Sequence, residues 1–178
     1  MIGETMERAL NGQINAELYS AYLYLSMSAC FQGLGRKGFS QWMRVQAAEE
    51  MIHVMKLYDY VQERGGKATL TTVEGPPTAW DSPLAAFEQA YAHEQKVTGL
   101  INGLVDLAVQ QSDHAAHSFL QWYVTEQVEE EASASAVVAD LRAVAEDSQG
   151  LLMLDRELGQ RLFVLPAGMT LPVQGGGG

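Results

Sequence analysis

Four stretches of this chain, residues 4–33, 37–64, 83–110 and 113–146, place apolar side chains at intervals of three and four, the spacing of a single face of an α-helix. Each stretch carries one apolar stripe and must bury it against the others, which sets a helical bundle. A shorter segment near 149–160 repeats the pattern. Gly33 and Gly35 follow the first stretch and Gly65-Gly66 the second, while Ser82-Pro83 opens the third and Ser112-Asp113 the fourth. Only a few residues join the first stretch to the second and the third to the fourth, so each pair forms an antiparallel hairpin. Residues 67–81 are different: their Thr, Gly and Pro content has no helical period. A helix of about 28 residues is ~42 Å long and about 15 extended residues reach ~50 Å, so this connection can run the length of the bundle and join two parallel helices. The expected fold class is all-α: two hairpins linked by one long crossover, with a short fifth helix.

Each of the four stripes contains an acid where core is expected. Leu10, Ala21 and Tyr24 lie within about 40° of Glu17 on a helical wheel, which puts this carboxylate on the inward face. Met43, Val54, Leu57 and Val61 surround Glu50, and His53, three residues on, projects from the same face. Phe87, Ala90, Ile101 and Val105 flank Glu94; Tyr123, Val137 and Leu141 flank Glu130. Any one of these acids has an ordinary alternative, pointing outward or pairing with Arg or Lys. Four converging carboxylates in one core repel each other and are poorly solvated, and bound cations relieve both problems. Oxygen ligands with one imidazole suit iron or manganese, although zinc competes for such ligands. Five ligands are too few for two separate octahedral sites, which favours two ions sharing a bridging carboxylate.

The 178 residues fit one domain, expected over 1–165, with LPVQGGGG in a flexible tail over 166–178. Twenty-two acidic against 11 basic residues give a formal charge of -11, unsuited to nucleic acid and suited to attracting metal cations. The single cysteine, Cys30, cannot form an intrachain disulfide or a Cys-x-x-Cys motif and suits a reducing compartment. No run of about 18 apolar residues and no basic start followed by an apolar run occurs, so the expectation is a cytoplasmic protein without a membrane partner.

The segments LNGQINAELYSAYLYLSM around Glu17, QAAEEMIHVMKLYDY around Glu50 and His53, AHEQK around Glu94, and FLQWYVTEQVEEE around Gln127 and Glu130 resemble the haem-free bacterial ferritins. The resemblance extends to about residue 160. It implies a ferritin-like bundle that is the ferroxidase subunit of a hollow cage of 24 chains, oxidising Fe(II) with dioxygen and storing it as a ferric oxyhydroxide mineral. Carried over position by position, Glu17, Glu50 and His53 hold one iron and Glu94 and Glu130 the second. Glu50 bridges, and Gln127 lies close enough to bond a water. Tyr24 matches the family's tyrosine beside the two ions. Glu49, Glu126 and Glu129 match a third iron site of some bacterial members, although an acidic run on a helix is also the ordinary form of a solvated face.

Bacterioferritins carry Glu-x-x-His on both the second and fourth helices, whereas the fourth here reads Gln127-x-x-Glu130, which favours the haem-free branch. Met51 stands beside Glu50 where bacterioferritins coordinate haem, but haem-free relatives have methionine there too, so haem is not expected. A haem-binding storage protein and a di-iron oxidase of an organic substrate remain the alternatives. Rubrerythrin-like peroxidases need a four-cysteine module that one cysteine cannot build. His93 should point away from the acids, and His114 and His117 open the fourth helix, where the family places its threefold channels. The amphipathic segment LLMLDRELGQRL needs a partner surface, which a cage would supply at its fourfold axis.

Overall fold

The computed structural model describes residues 1–144 and 147–165; the expected tail at 166–178 and the expected last residues of the fourth helix, 145 and 146, lie outside the described residues. The helices are α1 (Glu4–Gly33), α2 (Lys37–Glu63), α3 (Pro83–Gln110), α4 (His114–Ala143) and α5 (Ser148–Leu158), and no strand occurs among the described residues.

Local chemistry explains most of the boundaries. Gly35 and Gly65 sit at φ +71° and +75°, a conformation glycine adopts without a Cβ clash. Each closes its helix by paired backbone bonds: Gly35 to Gln32 and Arg36 to Phe31, then Gly65 to Gln62 and Gly66 to Val61. Ser112 takes the same role after α3 at φ +56°, a strained position for a residue with a Cβ. Ser82 Oγ accepts from the Ala85 amide ahead of Pro83, and Asp113 Oδ1 accepts from the Ala116 amide, so the serine and aspartate cap α3 and α4.

Contacts between the ends fix the topology. Ile2 bonds Arg64 while Ser28 bonds Ser40, so α1 and α2 are antiparallel. Arg142 reaches Glu88, and Gln127 reaches Glu94, so α3 and α4 are antiparallel. Gln46 meets Glu130, and Arg64 meets Asp113, which makes α2 antiparallel to α4 and therefore parallel to α3. The crossover joins this parallel pair, as the loop length predicts. It runs along α1: Asn11 holds Lys67 and Thr69, Asn15 holds Thr71 and Thr72, and Ser26 holds Pro77.

Two apolar half-cores fill the bundle. One packs Met27, Phe31, Phe39, Trp42, Phe87 and Leu141; the other packs Met6, Leu10, Ile14, Leu57, Leu104 and Leu120. The expected inward neighbours of the acids are buried, except that Val105 is only partly covered. Between the half-cores lies a layer of polar side chains, braced on both sides by close-packed rings and aliphatics.

The short α5 docks on the start of α2. Asp155 Oδ1 accepts from the amides of Gly38 (3.1 Å) and Phe39 (3.0 Å), capping α2 from another helix. The backbones approach so closely that a Cβ on Gly38 would lie 1.4 Å from the Asp155 carbonyl oxygen. Among the described residues, no helix is long and apolar enough to cross a membrane.

Candidate metal centre

The polar layer contains the acids read from the wheel. Glu17, Glu50, His53, Glu94, Gln127 and Glu130 are each at most 7% exposed, and Tyr24 is fully buried. They reach the layer from all four long helices: Glu17 and Tyr24 from α1, Glu50 and His53 from α2, Glu94 from α3, Gln127 and Glu130 from α4.

One ligand atom each of Glu17, Glu50 and His53 can be chosen so that all lie within 4.8 Å of one another. His53 Nδ1 is 3.3 Å from Glu50 Oε2 and 3.9 Å from Glu17 Oε2. Among the described residues none of these three buried atoms has a hydrogen-bond partner. Three orphaned polar atoms turned towards one another form a donor set that fits a cation. Four other carboxylate oxygens of the layer are held by neutral groups. Gln13 Nε2 donates to Glu17 Oε1 at 2.9 Å, Gln46 Nε2 donates to Glu130 Oε2 at 2.7 Å, and Gln127 Nε2 donates to Glu94 Oε2 at 3.2 Å. The Tyr24 hydroxyl donates to Glu94 Oε1. Tyr123 donates to the His53 carbonyl at 2.8 Å, fixing the height of α4 against the Glu-x-x-His turn.

Amides and hydroxyls orient carboxylates without neutralising them. No lysine or arginine forms an ion pair with Glu17, Glu50, Glu94 or Glu130 among the described residues. Burial, then repulsion by Glu94, Glu17 and Glu130, holds the Glu50 carboxyl well above the usual range. Burial and Glu130 likewise push Glu94 up to about 8, against the bonds from Tyr24 and Gln127. Tyr24, fully buried beside Glu94, is held well above the ordinary phenol value, chiefly by burial.

Next to this layer is a cavity of about 350 Å³ lined by Glu49, His53, Glu126, Glu129 and Glu130. Glu49 and Glu126 are half-buried and Glu129 is exposed. Glu49 is not free: Arg161, beyond α5, places Nη2 2.6 Å from its Oε2. Burial raises Glu49 to about 7 despite the guanidinium. Met51 is 41% exposed beside Glu50. His93 takes no part in the acid layer; its Nε2 lies 2.8 Å from Ser20 Oγ, and burial, with Lys96, lowers its pKa to about 4. His114 is exposed and His117 half-buried at the start of α4.

Gln13, Gln46 and Arg161 were not among the residues picked out from the sequence. The wheel that found the acids also finds the first two: Gln13 precedes Glu17 by four residues, Gln46 precedes Glu50 by four, and both are buried. Arg161 lies outside any helix and gives no such signal.

Fold and site together define a carboxylate-lined four-helix bundle of the metal-binding kind. Residues 7–144 match the family model described as a ferritin-like domain. The chain is 42% identical over 161 residues, 90% of its length, to the whole of the bacterial non-heme ferritin of Bacteroides fragilis. It is 40% identical to a probable bacterial non-heme ferritin-like protein of Haemophilus influenzae, covering 89% of this chain and 96% of that one. Among solved structures, an open-pore ferritin from Archaeoglobus fulgidus superposes with a TM-score of 0.90 at 59% identity, covering 91% of this chain and all of that one. A closed form of that ferritin, engineered by mutagenesis, gives 0.91 at 58% identity over 92% of this chain and all of that one. The chain belongs to the ferritin family.

Proposed function

We propose that this chain is an iron-storage ferritin subunit that oxidises Fe(II) with dioxygen in the polar layer between its two half-cores. The observation that carries the reading is the set of orphaned atoms on Glu17, Glu50 and His53, in a core with further acids and no Lys or Arg counter-ion to them among the described residues. In this reading Glu17, Glu50 and His53 bind one ferrous ion and Glu94 and Glu130 the second, with Glu50 shared between them. The amides of Gln13 and Gln46 hold Glu17 and Glu130 in orientation. Gln127 and Tyr24 do the same for Glu94.

Each ferrous ion supplies one electron to dioxygen, and the ferric product, a harder and more highly charged cation, is stabilised by the same carboxylates. The raised carboxyl groups give up their protons as the cations bind, so loading is accompanied by acid release. Tyr24 holds Glu94 through its hydroxyl, and in this reading it is a local hydrogen-bond donor beside the two ions.

The ferritin relatives support iron storage by this chain, and we assign it to a hollow cage of 24 chains that holds a ferric mineral, with residues 1–165 as the building unit in the cytoplasm. Glu49, Glu126 and Glu129 are assigned a third, weaker iron position on the cavity side. The test is aerobic addition of ferrous salt to purified apoprotein, followed by size-exclusion chromatography with a visible spectrum. Rapid ferric absorbance co-eluting with a particle of several hundred kDa is expected, with Glu50→Ala and His53→Ala slow. Unchanged rates in these variants would remove the assignment.

A further inference from the structure

The cavity beside the metal centre gathers Glu49, Glu126, Glu129 and Glu130; among the described residues that line it the one Lys or Arg is Arg161, with Lys56 acting on Glu126 from outside the lining. An acidic cluster alone is no site, but this one already holds a positive charge supplied by the chain itself. Arg161 donates from Nη2 to Glu49 Oε2 at 2.6 Å and lies over the Trp42 ring, its central carbon 4.5 Å from the centroid. Gln41 Nε2 bonds the Arg161 carbonyl at 3.3 Å, tying this non-helical segment to α2. The guanidinium is therefore positioned by two contacts with α2, and its backbone by a third. Yet it is poorly satisfied: Arg161 Nη1 is buried without a hydrogen-bond partner among the described residues. A fixed, planar cation that uses few of its five donors is held by charge more than by fit, and a compact ion able to engage several carboxylates at once can displace it.

We propose that Arg161 is an intramolecular counter-cation of this cavity, competing with a divalent metal ion for Glu49 and so setting how readily an ion occupies the cavity side of the centre. The inference rests on the ferroxidase reading above for the origin of the ion, but not for the competition itself. With Arg161 seated, the first two ions bind against a closed neighbour. Once it swings off Glu49, this carboxylate joins Glu126, Glu129 and Glu130 as a potential ligand. Trp42 is the stationary partner, 3% exposed in the apolar half-core, so the swing requires movement of the side chain and not of α2.

The test is anaerobic calorimetric titration of zinc(II), a redox-silent probe, into the assembled full-length apoprotein, comparing wild type with Arg161→Gln and Arg161→Met, which keep an extended stem over Trp42. Loss of a charge-assisted hydrogen bond that must otherwise be broken gives the expected scale: the third ion per chain binds about tenfold more tightly in both variants. The first two ions bind as in wild type. Adding Glu49→Gln to either variant abolishes the gain, which a general loosening of the segment would not do. Equal third-ion affinity in wild type and in whichever variant assembles overturns the role of Arg161. Absence of the first two high-affinity ions in wild type would instead count against the proposed function, and the two failures appear at different stoichiometries in the same titration.

Discussion

Metal-free protein should be more stable in mild acid than in mild base, and Glu94→Gln should remove much of the difference. An ordinary carboxyl at 4.5 is raised to about 8 at Glu94, so the folded chain holds this proton more tightly than the unfolded chain. Between those values folding takes up a proton, and stability falls as pH rises; below 4.5 both states are protonated and the penalty vanishes. Integrated from about pH 5.5 to about pH 8.5, Glu94 alone accounts for a loss of ~3 kcal/mol. For a chain of this length that is roughly 6–12 °C in melting temperature. Glu50, raised for the same reasons, acts in the same direction. Glutamine at 94 can still accept from Tyr24 but has no proton to take up. Scanning calorimetry of chelator-treated wild type and Glu94→Gln, with assembly checked at each pH, isolates the Glu94 part as the difference between the two slopes. Parallel profiles, or a wild type that is most stable in base, would refute the reasoning. The same linkage predicts that zinc(II) binding near pH 7 releases protons from Glu94, so the variant should release fewer in titrations run in buffers of different ionisation enthalpy.

Gly38→Ala drives a methyl group into the Asp155 carbonyl, so α5 should lift from α2 and the amides of Gly38 and Phe39 lose their cap. A destabilisation of about 2–4 kcal/mol in chemical denaturation and faster proteolysis after Val144 are expected. Ser112→Gly relieves a left-handed residue at the end of α3 and should add about 1 kcal/mol in the same assay. Gln46→Leu removes the amide that orients Glu130; the second zinc ion should bind about tenfold more weakly by calorimetry, with the first unchanged. Asn11→Ala with Asn15→Ala frees the crossover from α1, and limited proteolysis should then cut within 67–77 while the helices stay intact.

What the sequence disclosed and what it concealed follow from one distinction. Periodicity reports which way a side chain faces relative to its own helix. It therefore placed Glu17, Glu50, His53, Glu94 and Glu130 inward, and the cap residues Ser82 and Asp113 set the helix starts to within a residue. At the end of α4 the described helix closes at Ala143 with Val144 as its cap, although ADLRAV remains a good helical sequence; the expected residues 145 and 146 lie outside the described residues. Asp147 then caps α5 through the Gln149 amide. Periodicity says nothing about what an inward group meets across the core. Gln46 reaches Glu130 over 84 positions of chain and Arg161 reaches Glu49 over 112, and neither pairing leaves a mark on a wheel. Those unmarked partners decide the chemistry: amides leave the central acids charged or protonated according to what binds, whereas a guanidinium at Glu49 supplies the missing cation. The acid layer thus costs the metal-free fold stability and is the reason it can hold a cargo. Apolar residues in place of Glu17, Glu50, Glu94 and Glu130 would strengthen the bundle and leave it nothing to bind.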